Sequence, residues 1–261
     1  MKAPHSLIIG GTRGIGREVV RHLLREGHRV SVIARRPPVR KADRTSRANY
    51  WSVDVRDETA LVATLSRLVK KSGKINHLIF FQRHRGDDEP WYGEIETSLT
   101  ATKSAVEALQ DKFAPGQKSI VIVSSIAAKL IGAYLPLGYH AAKAALCQMV
   151  RYWAVTLGAR GIRVNSVSPG TVLKAESKEF FLNNKTLCEL YRRITPLRRF
   201  GHASEVANVV ALLCSDQTSF VTGQDIVVDG GVSLLWQEWL ARELLDIPQP
   251  PTRSQTKTRH K

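Results

Sequence analysis

The chain has 261 residues, 43% of them hydrophobic, and 39 Lys and Arg against 23 Asp and Glu give a formal net charge of +16. This length and apolar content suit one α/β domain, or one domain with an appendage, and no apolar stretch approaches the ~20 residues that span a bilayer. Three widely separated cysteines (Cys147, Cys188 and Cys214) exclude a disulfide framework or a Cys/His zinc site, so a cytoplasmic protein is expected.

Residues 6–9 are a short apolar run, cut off by glycines before it could serve as a signal-peptide core. GGTRGIG follows at 10–16. Val19, Val20, Leu23 and Leu24 then fall at helical spacing as far as Gly27. A second strand over 29–34 runs into Arg35, Arg36 and two prolines. A polar, basic connection leads to a third strand ending near 53–55, a helix over 58–71 and a fourth strand over 77–81. The second half predicts a helix over 97–109, a strand over 119–123 and a helix carrying Tyr139 to about Leu157. A strand over 162–166, an irregular stretch with Pro169 and Gly170, a helix over 204–214 and a strand over 226–228 complete the alternation. Residues 234–245 read as one more amphipathic helix, and 248–261 as a disordered basic tail. Strands alternating with helices imply a doubly wound, Rossmann-type parallel sheet flanked by helices. The expected division is a domain over 1–232 with a C-terminal helical extension and tail over 233–261.

The first strand, turn and helix suit a dinucleotide. Gly10, Gly14 and Gly16 let the backbone approach a pyrophosphate, and the helix start supplies free N–H groups and a positive dipole end. An acid at the end of the second strand would take the ribose hydroxyl of NAD. Here Arg35 and Arg36 stand instead, with Arg13 inside the glycine turn, and guanidinium groups suit the 2′-phosphate of NADP. Asp54, with Val55 beside it, is placed to accept from the adenine amino group. Between residues 124 and 143, Tyr139 and Lys143 stand at i and i+4 on one helical face. An ammonium beside a phenol favours the phenolate, and a nearby serine would complete a site for protonating a carbonyl oxygen.

These motifs, with RVNSVSPG at 163–170 and PLRRFGHASEVANVVALLCSD to VTGQDIVVDGG over 196–231, resemble the short-chain dehydrogenase/reductase family over about residues 5–232. The last block is similar to the 3-oxoacyl-carrier-protein reductase branch. The resemblance implies NADP(H) as cofactor, a small-molecule carbonyl or alcohol substrate, a homodimer or homotetramer, and no membrane or nucleic-acid partner. It implies Tyr139 as general acid/base, Lys143 on the nicotinamide ribose and Ser125 on the substrate oxygen, with Ser124 the lesser candidate. Ser98 stands where a catalytic asparagine is expected. The implied cofactor contacts are Gly10, Thr12, Arg13, Gly14, Ile15, Gly16, Arg35, Arg36, Asp54, Val55, Tyr139, Lys143, Pro169, Gly170 and Val172, and Asn165 is expected to line the nicotinamide side.

Four positions depart from the family pattern: Ile9 for threonine, Phe80-Phe81-Gln82-Arg83 for Asn-Asn-Ala-Gly, Ser98 for asparagine and Lys174 for threonine. Arg83, His84, Arg85 and Lys174 either gather near the mouth of the site, where they would hold an anionic substrate group, or face solvent and pair with Asp87, Asp88 and Glu89. Two functions stay open: an NADPH-dependent reductase, or an NADP-binding member with weak or lost catalysis acting as a regulatory or scaffolding partner.

Overall fold

The computed structural model describes residues 3–36, 47–86 and 89–248. Its elements follow in the order β1 His5–Ile9, α1 Gly14–Arg25, β2 Arg29–Ala34, β3 Asn49–Ser52, α2 Glu58–Ser72, β4 His77–Phe80, α3 Pro90–Glu94, a π-helical turn Ile95–Thr100, α4 Ala101–Leu109 and β5 Ser119–Val123. Then come α5 Leu137–Gly158, β6 Arg163–Pro169, β7 Val172–Leu173, α6 Lys178–Asn183, α7 Lys185–Ile194, β8 Gly201–His202, α8 Ala203–Cys214, β9 Asp225–Val228 and α9 Gln237–Leu244. Seven strands form one parallel sheet in the order β3-β2-β1-β4-β5-β6-β9, and β7 and β8 pair separately. No helix among the described residues is long and apolar enough to cross a membrane.

Side chains alternate between the two faces of a strand, which divides the core in two. Leu7, Ile9, Leu78, Phe80, Ile120 and Ile122 pack on one face with Leu61, Leu65 and Leu146 from α2 and α5. Ile8, Ile79 and Val121, between them in sequence, pack on the other face with Val19, Val20, Val206 and Val210 from α1 and α8. Both faces are covered, so these strands read as continuous apolar runs.

The predicted helix over 97–109 is longer and less regular than its sequence indicates. It starts at Pro90, where the Glu89 carboxylate accepts from the backbone N–H groups of Trp91 and Tyr92, and passes through the π-helical turn before α4. Two short helices, α6 and α7, occupy the stretch expected to be irregular. The C-terminal helix begins three residues later than predicted, behind a tight turn at Val232–Leu234, and packs on α7. There Arg193 bonds the Glu243 carbonyl, and its guanidinium meets Asp246 at 2.6 Å. The basic tail lies outside the described residues from 249 onward.

At the amino edge of the sheet lies a buried polar layer. The His5 Nε2 accepts from the Ser31 hydroxyl at 2.9 Å while its Nδ1 faces the Gly73 and Lys74 carbonyls, and the Ser6 hydroxyl stands 2.9 Å from both His28 Nδ1 and His77 Nδ1. Burial, reinforced by the positive neighbours His28, Arg163 and His5, pushes His77 down to about 3, and burial also lowers His5 and His28. Unfolded, each imidazole protonates near its ordinary 6.5, so unfolding takes up protons as the pH falls from 6.5 toward 3. Stability is therefore greatest above pH 6.5 and falls below it, His77 contributing about 1.4 kcal/mol per pH unit down to about 3 and His5 and His28 adding in the same direction. His77→Asn keeps a polar atom toward Ser6 and should flatten the acid side of a urea-midpoint profile; an unaltered slope would show that His77 does not set it.

Candidate active site

The strand order reverses beside β1: the chain winds out through β2 and β3 and returns to β4 on the other side. Ligands of open parallel sheets bind at such a switch point, outside the carboxyl ends of the strands. A cavity of about 650 Å³ lies there, lined by Gly10–Gly16 residues after β1, Arg35 and Arg36 after β2, Asp54 and Val55 after β3, Phe81–Arg83 after β4, and Ser125 after β5. Tyr139 and Lys143 from α5, with Pro169, Gly170, Val172 and Lys174, close its far end.

The glycine turn is built for close approach. Gly10 has φ +89°, and a Cβ there would sit 2.8 Å from the Gln82 backbone nitrogen. A Cβ on Gly16 would meet the Gly10 carbonyl oxygen at 2.5 Å and Phe81 Cγ at 3.2 Å. The turn thus rests on the Phe81 ring, and α1 starts at Gly14 with its first N–H groups facing the cavity. In the free protein the Glu176 carboxylate stands at this helix start, accepting from the Gly14 N–H at 3.2 Å and pairing with Arg17 at 3.2 Å. Partial burial works against the Glu176 charge, but its own N–H, that of Gly14, and the Arg17 and Arg13 guanidiniums outweigh it and hold the carboxyl below its usual range.

Tyr139 and Lys143 lie one turn apart near the start of α5, with the Lys143 Nζ 5.5 Å from the phenol ring centroid. Lys143 is 3% exposed and donates to the Val123 carbonyl at 3.1 Å. Burial lowers its ammonium to about 8; Glu94 opposes the shift, while Arg83 and Lys174 add to it. Ser124 is buried and donates to the Lys143 carbonyl at 2.9 Å, a bond that fixes α5 against β5. Ser125 caps the next turn by accepting from the Ala127 N–H at 3.1 Å, and it lines the cavity.

Two expected site residues lie elsewhere. Ser98 is fully buried on the π-helical turn and donates to Glu94 at 2.7 Å; its neighbour Thr97 lines the cavity in its place. Extra residues in a π-helical turn rotate the side chains that follow, and heptad spacing gives no warning of it. Asn165 is buried within β6, donating to the Val221 carbonyl and accepting from the Gln224 N–H, and so holds the turn before β9 rather than a ligand. Asp54 lines the cavity, with its carboxylate accepting the Arg56 N–H at 3.1 Å.

Residues 10–233 match the enoyl-(acyl carrier protein) reductase family. Isoepoxydon dehydrogenase patN of Penicillium expansum is 33% identical over 247 residues, covering 89% of this chain and 95% of that one. The chain belongs to the short-chain dehydrogenase/reductase family. A solved family structure, a short-chain type dehydrogenase/reductase from Mycobacterium ulcerans, superposes with a TM-score of 0.81 at 26% identity, over 90% of this chain and 91% of that one. ElxO with NADP bound shares the fold, with a TM-score of 0.77 at 22% identity over 90% of this chain and all of that one. Membership in the short-chain dehydrogenase/reductase family makes this an oxidoreductase of the nicotinamide-dependent, hydride-transferring kind.

The carboxylates of Glu94 and Glu176 carry no family motif. The sole sequence signal for Glu94 is its i, i+4 spacing to Ser98, and Glu176 reaches α1 only through the fold. Gly16→Ala should lower stability by about 1–3 kcal/mol through overpacking and weaken dinucleotide binding with it. Denaturation and NADPH fluorescence titration would check this; undiminished binding would mean that the turn does not hold the cofactor.

Proposed function

We propose that the protein transfers a hydride between NADP(H) and a carbonyl or secondary alcohol, with Tyr139 as general acid/base. One observation carries the reading: Ser125 and Tyr139 lie on the wall shared by the glycine-turn cavity and a second cavity of about 570 Å³ beyond it. A cofactor on one side and a substrate on the other would meet at these hydroxyls.

The residues present fit a dinucleotide. The missing Cβ atoms at Gly10 and Gly16 let the turn pack tightly against the end of β4 and bring the start of α1 to the cavity, where its N–H groups would meet a pyrophosphate, and Arg35 and Arg36 are exposed on the cavity wall where a 2′-phosphate would be recognised. When bound, the nicotinamide supplies or accepts the hydride. Ser125 donates its hydroxyl to the substrate oxygen. Tyr139 gives that oxygen a proton in reduction and takes one from the hydroxyl in oxidation. The Lys143 ammonium, 5.5 Å from the phenol ring centroid, would hold the nicotinamide ribose beside Tyr139. Ser98, bonded to Glu94, supports the second reading, a cofactor-binding protein with weak or lost catalysis. Tyr152 and Val155, exposed on α5, support self-association, and the free cysteines support a cytoplasmic setting.

NADPH oxidation with a panel of ketones and 3-oxoacyl thioesters tests the reading. Tyr139→Phe should reduce turnover by about 10²–10⁴-fold with NADPH affinity retained; tight NADPH binding without turnover of any carbonyl would select the second reading. Lys143 carries a second prediction. Its charge is lost as the pH rises through about 8, so kcat/KM should fall above that pH. Glu94→Gln removes a charge that sustains the ammonium and should move the alkaline limb to lower pH. An unmoved limb would detach Lys143 from the pH dependence.

A further inference from the structure

The second cavity has two unlike walls. Leu130, Ile131, Tyr134, Leu135 and Phe181 form an apolar side, and Arg13, Arg85 and Lys174 face the same space. Arg83 joins them from the adjoining cavity, its guanidinium 5.1 Å from the centroid of the Tyr139 ring. The cations press on one another: Lys174 is lowered first by burial and then by Arg85 and Arg83, and Arg85 first by burial and then by Arg83 and Arg13. The acid that shares the cavity with them, Glu176, is engaged by the Gly14 N–H and Arg17. Of the acids the sequence offers as partners for these arginines, Glu89 is engaged as the cap of α3, and Asp87 and Asp88 lie outside the described residues.

A cofactor accounts for only part of this charge. A Cβ on Gly14 would lie 3.2 Å from the Lys174 Cδ, so Lys174, with Arg13 in the turn itself, is placed to answer a pyrophosphate. Arg35 and Arg36 stand at the opposite end of the cavity, where the 2′-phosphate would be. Arg83 and Arg85 remain: Arg83 lies over the Tyr139 ring in the first cavity, Arg85 lines both cavities, and among the described residues no carboxylate stands within ion-pair distance of either. Two guanidinium forks suit a planar oxyanion better than diffuse negative charge.

We propose that the carbonyl substrate is an amphiphile with an anionic oxygen group: Arg83 and Arg85 hold the anion, and the apolar wall from Leu130 to Leu135 receives the hydrocarbon body. The inference rests on the hydride-transfer reading for the word carbonyl, while the anion site itself is testable without turnover. The reaction stays an ordinary reduction, in which the carbonyl carbon gains a hydride from NADPH and the oxygen a proton from Tyr139, leaving an alcohol and NADP⁺.

The test is calorimetric titration of 4-oxononanoate and its methyl ester into the protein, with and without NADP⁺, which allows the keto compound to bind without being reduced. The acid should bind at least tenfold more tightly than the ester, and added salt should erode the difference. In the Arg83→Ala/Arg85→Ala double variant the preference should vanish, with acid affinity falling at least tenfold more than NADP⁺ affinity. Equal or absent binding of the two probes, or a preference that survives the double substitution, overturns the inference. So does a double variant that loses NADP⁺ affinity instead, because the arginines would then serve the cofactor phosphates. Failure of NADP⁺ to bind the wild-type protein would strike the cofactor reading alone, since the comparison of acid with ester is also made without it.

Discussion

A lysine ammonium sealed beneath the carboxyl edge of the sheet sets the terms for everything around it. Removing a cation from water costs several kcal/mol unless its surroundings answer the charge, and Lys143 is answered by the end of β5 and by Glu94. Each answer fixes an element. The Val123 carbonyl must end its strand pointing at α5, Ser124 must tie α5 back to β5, and the helix carrying Glu94 must pack against α5. Tyr139, one turn before the lysine on the same helix, is aimed at the cleft by the same constraints. The proposed chemistry thus needs no loop to arrive in place; it stands on a strand end and a helix start.

Much of this was legible in the sequence because it depends on local periodicity. Apolar runs at 6–9, 29–34, 77–81 and 119–123 can be buried on both faces only as central parallel strands, and the glycines after the first leave little besides a tight strand-to-helix turn. What escaped is what tertiary packing decides. The π-helical turn at Ile95–Thr100 leaves no compositional mark, and its effect is to carry Ser98 inward and Thr97 outward. The α6 and α7 helices hide in a stretch whose apolar residues make a local aromatic cluster of Phe181, Tyr191 and Phe200 instead of joining the core.

The departures at the end of β4 form a connected set. Phe81 lies under the glycine turn. Gln82 is held by Thr102, whose own hydroxyl donates to the Ser98 carbonyl at 2.6 Å, so that strand end is tied to the π-helical turn. Arg83 then emerges over the Tyr139 ring. The arginine sets a guanidinium over the phenol ring at a position where the family pattern has glycine, and on the proposal above that charge is what selects the substrate.

The Glu176 carboxylate at the start of α1 has a consequence for how the cleft fills. The free protein already carries its own counter-ion at the point where backbone N–H groups and the helix dipole favour negative charge. A phosphate bound there, as the proposed function requires, would have to displace a tethered anion. The strand-to-helix segment bearing Glu176 also contributes Lys174 to the second cavity, and α6 just beyond it contributes Phe181, so one stretch of chain faces both the glycine turn and the apolar wall.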